Sequence, residues 1–209
     1  MMRKLISLML LVAAMPSVQA EISYDVFFRA NGVDAIGNTV LEVAPDTTVR
    51  GVEIILREEA TGGDTNGLTD GGGLRGYAIQ LNSSVADRFE NGTRNPNFQL
   101  SGTGNDGDTF TAFNFAGGTE GVTISPTTAE LSLGTVDLIG PTVGGQVTFS
   151  LADFDANNPN FQLASGSIDS LINFGNTLTL SSVTAIPEPS SFALIGTLGS
   201  VILMRRRRR

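Results

Sequence analysis

Apolar side chains at every second position, in short runs cut by glycine, asparagine and proline, constrain this chain more than any other feature. Ile22, Tyr24, Val26 and Phe28 alternate with Ser23, Asp25 and Phe27. Successive side chains of a strand point to opposite faces, so this spacing puts the first four on one face of a β-strand. The same reading gives strands over residues 39–44 and 48–56, with Pro45-Asp46 as the turn between them and Val52, Ile54 and Leu56 sharing a face. It continues at 76–81, where Tyr77, Ile79 and Leu81 share a face, and at 109–115, 131–139, 146–151 and 177–185, which are rich in Val, Thr, Phe and Leu. Only residues 84–90 read as briefly helical, with Ser84 three positions before Asp87 in a cap-like arrangement. Eight or more short strands with Gly- and Asn-rich turns predict an all-β fold, an antiparallel β-sandwich of immunoglobulin-like or jelly-roll type. The 25 glycines make a β-solenoid the runner-up, but no regular short period supports one.

The chain has no cysteine and no histidine. Disulfides, thiolate nucleophiles, zinc hydrolase motifs and every nucleophile–His–acid arrangement are thereby excluded. A glycoside hydrolase needs two carboxylates roughly 5 to 10 Å apart in a cleft. No acidic pair is set apart by its sequence setting, and no catalysis is expected. A carbohydrate-binding module needs exposed aromatic platforms, yet there is no Trp, and Tyr24 and Tyr77 both stand at inward-type positions. Much of the phenylalanine is expected in the core.

Asp153, Asp155 and Asn157 place oxygen side chains at alternate positions, as at the start of a calcium loop, and Asp106 and Asp108 do so again. An EF-hand is excluded, because Asn158 stands at its sixth position and Ala164 at its twelfth. A looser structural calcium site at these turns stands beside the plainer reading of ordinary acidic turns, and no other cofactor is expected. Asp64-Thr65-Asn66-Gly67 and Asp70-Gly71-Gly72-Gly73 make a glycine-rich loop without the Lys and Ser or Thr of a phosphate loop.

The two ends read as addresses. Met1-Met2-Arg3-Lys4, the apolar run that follows and Val18-Gln19-Ala20 have the order of a secretory signal peptide over residues 1–20, so the mature chain is expected to start at Glu21. At the other end Pro187-Glu188-Pro189 precedes an uncharged stretch ending at Met204, and Arg205, Arg206, Arg207, Arg208 and Arg209 close the chain. Sixteen uncharged residues from Pro189 span about 24 Å as a helix, short for a hydrocarbon core near 30 Å. The arginines are costly to translocate and are attracted to anionic lipid, which holds this end at the cytoplasmic face with the preceding chain outside.

This tail resembles the PEP-CTERM sorting signal of Gram-negative bacteria. The resemblance implies recognition by an exosortase-type membrane enzyme after transport by the secretion machinery, and cleavage near the motif. Delivery to the cell surface or an exopolysaccharide-rich matrix would follow, with Pro187, Glu188 and Pro189 as substrate residues. The expected organisation is a signal helix (1–20), a sandwich domain (21–185) and a sorting segment with a hydrophobic helix (186–209). The chain outside these ends carries 20 acidic against 6 basic residues, 14 net negative charges. That favours solubility and disfavours nucleic acid or a bare anionic membrane as partner.

One echo runs through the middle: Asn95-Pro96-Asn97-Phe98-Gln99-Leu100 recurs as Asn158-Pro159-Asn160-Phe161-Gln162-Leu163, at an offset of 63. Its plain reading is two equivalent turn-to-strand passages whose Phe and Leu enter the core, and its sharper one is a shared ligand-binding motif. The middle also resembles the cohesin-like and other immunoglobulin-like sandwiches of bacterial surface proteins. The resemblance is carried by 48–56, by Leu131-Ser132-Leu133-Gly134-Thr135-Val136-Asp137-Leu138 and by Thr142-Val143-Gly144-Gly145-Gln146-Val147-Thr148-Phe149. It implies one exposed sheet face as a binding surface. The leading expectation is thus an exported structural protein of the surface or matrix. An adhesive or protein-binding module is the alternative, and a polysaccharide-active enzyme comes last.

Overall fold

The structure, a computed structural model, describes residues 21–61, 67–69, 71–103 and 108–183. The expected signal helix, the sorting segment with its Pro-Glu-Pro motif and five arginines, and Asp64, Asp70 and Asp106 lie outside the described residues. Among the described residues no helix is long and apolar enough to cross a membrane.

In chain order the strands are β1 (Ile22–Ala30), β2 (Val33–Asp34), β3 (Asn38–Val43), β4 (Thr48–Ala60), β5 (Leu74–Ser83), β6 (Phe89–Arg94), β7 (Leu100–Thr103) and β8 (Thr109–Phe113). They continue as β9 (Val122–Ser125), β10 (Thr128–Ile139), β11 (Gln146–Asp153), β12 (Gln162–Leu163), β13 (Gly166–Ser167), β14 (Ile172–Asn173) and β15 (Thr177–Ser182). One sheet runs β14–β1–β4–β10–β6, with β2 on β1 and β9 on β10. The other runs β13–β12–β5–β11–β15–β3, with β8 on β5 and β7 on β8.

Each of the eight predicted runs holds a strand, because each supplies an apolar row to the space between the sheets; of the last run, residues 184–185 lie outside the described residues. Tyr24, Val26 and Phe28 from β1 meet Val52, Ile54 and Leu56 from β4 and Leu131, Leu133 and Leu138 from β10. Tyr77, Ile79 and Leu81 of β5, Phe110 of β8, Val147, Phe149 and Leu151 of β11 and Leu178 and Leu180 of β15 close the core from the other side. Two inward-facing sheets over one apolar core define an all-β sandwich.

Three expectations need correction. The pairing is not wholly antiparallel: β14 runs parallel to β1, and β15 parallel to β3. The chain leaves the first sheet after β2 and enters the far edge of the second in the direction of β15. Asn176 pins that crossover, accepting the Gly37 N–H at 2.8 Å and donating to the Val26 carbonyl at 3.1 Å. Residues 84–90 are not helical. Ser84 is held by β11 instead, its N–H donating to the Thr148 carbonyl and its hydroxyl accepting the Thr148 N–H, both at 2.9 Å. Asp87 then takes a left-handed φ of 55°, and Phe89 opens β6. Finally, β8 stops at Phe113, because the Asn114 side chain bonds locally, accepting from Gln99 N–H at 2.8 Å and donating to the Thr119 hydroxyl at 3.0 Å.

Gly134 marks where β10 bulges between β4 and β6. A Cβ there would sit 2.5 Å from the Thr93 carbonyl oxygen and 3.2 Å from the Phe110 ring. The nearer neighbour is backbone of a paired strand and has little room to retreat. Gly134→Ala is expected to destabilise the sandwich by about 2 to 3 kcal/mol, read as a lower urea midpoint at unchanged slope.

Candidate functional site

A groove crosses the outer face of the second sheet, with a volume of about 490 Å³. Its geometry follows from one cross-strand row. Leu100 of β7 pairs with Phe113 of β8, Phe113 with Gly76 of β5, and Gly76 with Gln162 of β12. Partners in a row share a face, so Leu100, Phe113 and Gln162 all project outward, while Tyr77 and Phe110 next to them face the core.

Gly76 is the floor. A Cβ at that position would lie 3.1 Å from the Phe113 ring, so the absent side chain is what lets the ring lean across the strand. Ala78 extends the low floor, and Pro159, Asn160 and Gln162 form the opposite rim. Phe113 is 41% exposed, Leu100 50% and Phe115 68%. Phe113 and Phe115 meet edge to face at 5.8 Å. Large apolar side chains grouped on a sheet face, rather than scattered, mark a contact surface.

The two copies of the repeated hexapeptide flank this groove. Phe98 and Phe161 are both buried and both pack on the Tyr77 ring, at 5.1 and 6.2 Å. The expected core role holds for these two phenylalanines but for only one leucine. Leu163 is 4% exposed, whereas Leu100 is half exposed. In the second copy Phe161 and Leu163 sit two apart across β12 and face the same way. In the first, a bend at Phe98 and Gln99 intervenes before β7 starts, and this shift of one position turns Leu100 outward. The equivalent outward places are therefore taken by Leu100 on one rim and Gln162 on the other.

The calcium candidates are engaged by amides. Asp153 accepts the Asp155 N–H at 3.2 Å and the Asn160 side chain at 2.5 Å. Asp155 accepts the Asn157 N–H at 3.0 Å and bonds the Asn158 side chain, and the Asn157 side chain also turns to Asp155, at 3.4 Å. The Asn158 amide, with the Asn157 N–H, holds the Asp155 carboxyl below its usual range. This is an Asx-turn loop that supports the groove rim at Asn160. Asp108 accepts from Gln80 at 2.8 Å in a separate polar depression beside Asp87 and Arg88. Among the described residues no three Asp or Glu side chains group as metal ligands.

Two further charge clusters sit on the first sheet. On its inner face Glu58 is fully buried and accepts the N–H groups of Gly67 at 2.5 Å and Leu68 at 2.7 Å. Burial first, then the Glu58 charge and its hydrogen bond, push the Tyr24 phenol well above its ordinary range. On the outer face Arg29 and Arg57 each bridge Asp34 and Glu130, closing a four-membered ring of alternating charge. The Arg57 guanidinium lies 4.7 Å from the centre of the Phe27 ring, which is fully buried outside the main core.

The sequence alone does not set Phe113, Phe115 or Gly76 apart, it marks Leu100 only as part of the repeated hexapeptide, and it assigns most phenylalanine to the core. Two signals were present. A glycine inside an alternating strand marks close approach of another group, and Phe113 and Phe115 stand at the odd positions of a run whose core residues, Phe110 and Ala112, are even.

No protein-family model matches the sequence, and no curated protein matches it. Among solved structures, the chain is similar to a chain of the CaDoc0917–CaCohA2 complex crystallised at pH 5.5, with 10% identity and a TM-score of 0.42 over 78% of this chain and 99% of that one. It is similar also to the sixth cohesin of Acetivibrio cellulolyticus scaffoldin B, solved with a mutant Cel5 dockerin, at 9% identity and a TM-score of 0.40 over 77% and 99%.

Proposed function

We propose that this protein is an exported, surface- or matrix-directed module that acts by adhesion through the groove on its second sheet, without catalysis. The observation that carries the adhesive role is the outward row Leu100–Phe113–Gly76–Gln162, which groups exposed apolar side chains over a floor kept low by glycine. The export reading rests on the signal-peptide order at residues 1–20 and on the PEP-CTERM-like tail, Pro187, Glu188 and Pro189 followed by an apolar stretch and five arginines. An exosortase-type enzyme is the processing partner in this reading. The acidic exported portion keeps the module soluble and unattracted to anionic membrane.

The test is fractionation of native cells into inner membrane, surface matrix and medium, with the intact mass of the product in each. A product beginning near Glu21 and ending near Pro187 in the matrix fraction is expected. Leu100→Asp and Phe113→Asp together should shift at least about nine-tenths of that product into the medium, a tenfold loss of retention, with processing unchanged. Full retention of the doubly substituted protein overturns the groove as the adhesive surface. A product that keeps its five arginines in the inner membrane overturns the sorting reading.

A further inference from the structure

We infer that the occupant of the groove is a strand of neutral polysaccharide. The inference rests on the adhesive reading above and names the chemistry that the surface recognises.

Among the described residues the lining carries no charged side chain: it is Phe113, Leu100, Pro159, Asn160, Gln162 and Thr111 over a floor of Gly76 and Ala78. A charged ligand would find no counter-charge for the part of it that the seat dries, which disfavours it against a neutral one. Anionic polysaccharide meets the further obstacle of 14 net negative charges on the exported portion.

Peptide is disfavoured by the position of the groove. Peptides that dock on sheets join an open edge, where unpaired N–H and C=O groups bond the incoming main chain. The floor here is β5, which is paired on both sides, with β8 along one flank and β11 and β12 along the other. Within the groove no ladder is left for a peptide backbone, whose amides would lie unmatched against Phe, Leu, Pro and Ala; the open edge of β7 faces away from β8, on the far side of the Leu100 rim.

A pyranose has the complementary build. Its C–H face packs flat on an aromatic ring, and its hydroxyls project at the rim as both donors and acceptors. Phe113 supplies the ring, inclined over Gly76. Gln162 supplies a whole primary amide, able to donate and accept at once. Asn160 is fixed by its Nδ2, which donates to Asp153 at 2.5 Å and to the Asp155 carbonyl at 3.0 Å, and this holds its position on the rim. The Asx-turn loop thus serves as the rigid support of a polar rim residue, and the groove's volume of about 490 Å³ exceeds what a single sugar ring fills.

The experiment is isothermal titration of the exported protein, purified as its host releases it, with three neutral hexasaccharides (cellohexaose, laminarihexaose and mannohexaose) and with hexagalacturonate. Binding of at least one neutral hexasaccharide is expected, with hexagalacturonate at least about tenfold weaker. Phe113→Leu keeps the apolar volume and removes the ring, and it should weaken that binding at least about tenfold; Gln162→Ala should weaken it several-fold. Circular dichroism identical to wild type shows that both variants fold. The inference is overturned if none of the neutral sugars binds, or if Phe113→Leu binds them as tightly as wild type. It is also overturned if hexagalacturonate binds best. If sugars fail while Leu100→Asp with Phe113→Asp still abolishes retention on cells, adhesion through the groove stands and its partner is a protein. If both fail, the adhesive reading falls as well.

Discussion

Replacing Glu58 with Ala is expected to cost about 4 kcal/mol, a large share of the stability of a domain this size. The carboxylate is fully buried and accepts two backbone N–H groups from Gly67 and Leu68. Each buried donor left without an acceptor costs on the order of 1 to 3 kcal/mol, and removal of the side chain leaves a void beside them. The consequence reaches the core, because Leu68 is fully buried and its carbonyl accepts the Gly121 N–H at 2.9 Å, tying this segment to the approach to β9. Glu58→Gln is expected to lose less, since one oxygen acceptor survives while the other becomes a donor facing an N–H. Urea unfolding gives the cost. Hydrogen exchange at the Gly67 and Leu68 amides should accelerate ahead of global unfolding in Glu58→Ala. A second readout is the Tyr24 phenol, which should titrate lower once the neighbouring charge is gone, while burial still holds it above an ordinary tyrosine. A loss below about 1 kcal/mol would mean that water or another group takes over the two N–H donors, and Glu58 would then not be what anchors the loop.

Glu58 also shows where the sequence is silent. The alternation in β4 is plain in the letters, and it places Glu58 on the same face as Leu56 and Ile54, which are core. An acidic side chain at an inward position is a local conflict with the pattern, and such conflicts need a partner to resolve them. The partners, Gly67 and Leu68, lie nine and ten residues further on in a glycine-rich loop whose path no periodicity predicts. The same holds for the sheet order. Each long strand is legible from its own residues, since burial of one face imposes period two. The parallel pairings of β1 with β14 and β3 with β15 are held by contacts distant in sequence, among them Asn176 reaching 139 positions back to Gly37, the Thr177 N–H donating to the Gly37 carbonyl and Asn173 donating to Asp25. Short strands such as β12 and β14 have two residues each, too few for a period to register. The groove was half visible: its rims were singled out as a repeated hexapeptide, but the one-position shift that turns Leu100 outward arises from a bend and not from composition.

Removing Glu130 should also destabilise the fold strongly, because it strips one anion from a ring that holds two cations. Glu130 accepts from Arg29 Nη2 at 2.9 and 3.0 Å and from Arg57 at 2.6 and 2.8 Å. Asp34 accepts from Arg29 Nε at 2.5 Å and from Arg57. The ring stands over Phe27 and beside Ile55, both buried on the outer face of the first sheet. Breaking a buried pair by deleting one partner costs about 3 to 5 kcal/mol, and the partial exposure of both arginines discounts this to roughly 2 to 3 kcal/mol for Glu130→Ala. Asp34→Ala alone should cost less, and the double variant less than the sum of the two, since the second deletion acts on a ring already opened. The pH dependence has a definite sign. The hydrogen bond from Arg29 first, then that from Arg57 and both charges, outweigh burial and hold the Asp34 carboxyl below its usual range. A depressed folded-state pKa contributes stability in full above the unfolded value near 3.9, and that contribution is lost as pH falls through the folded value. The stability difference between wild type and Asp34→Asn should therefore stay constant from about pH 7 down to about pH 5 and close only below about pH 4. Guanidinium melts across that range measure it. A difference that stays unchanged from about pH 5 down to about pH 2 would show that Asp34 titrates as an ordinary carboxyl, with the same pKa folded and unfolded, and that the ring does not hold it.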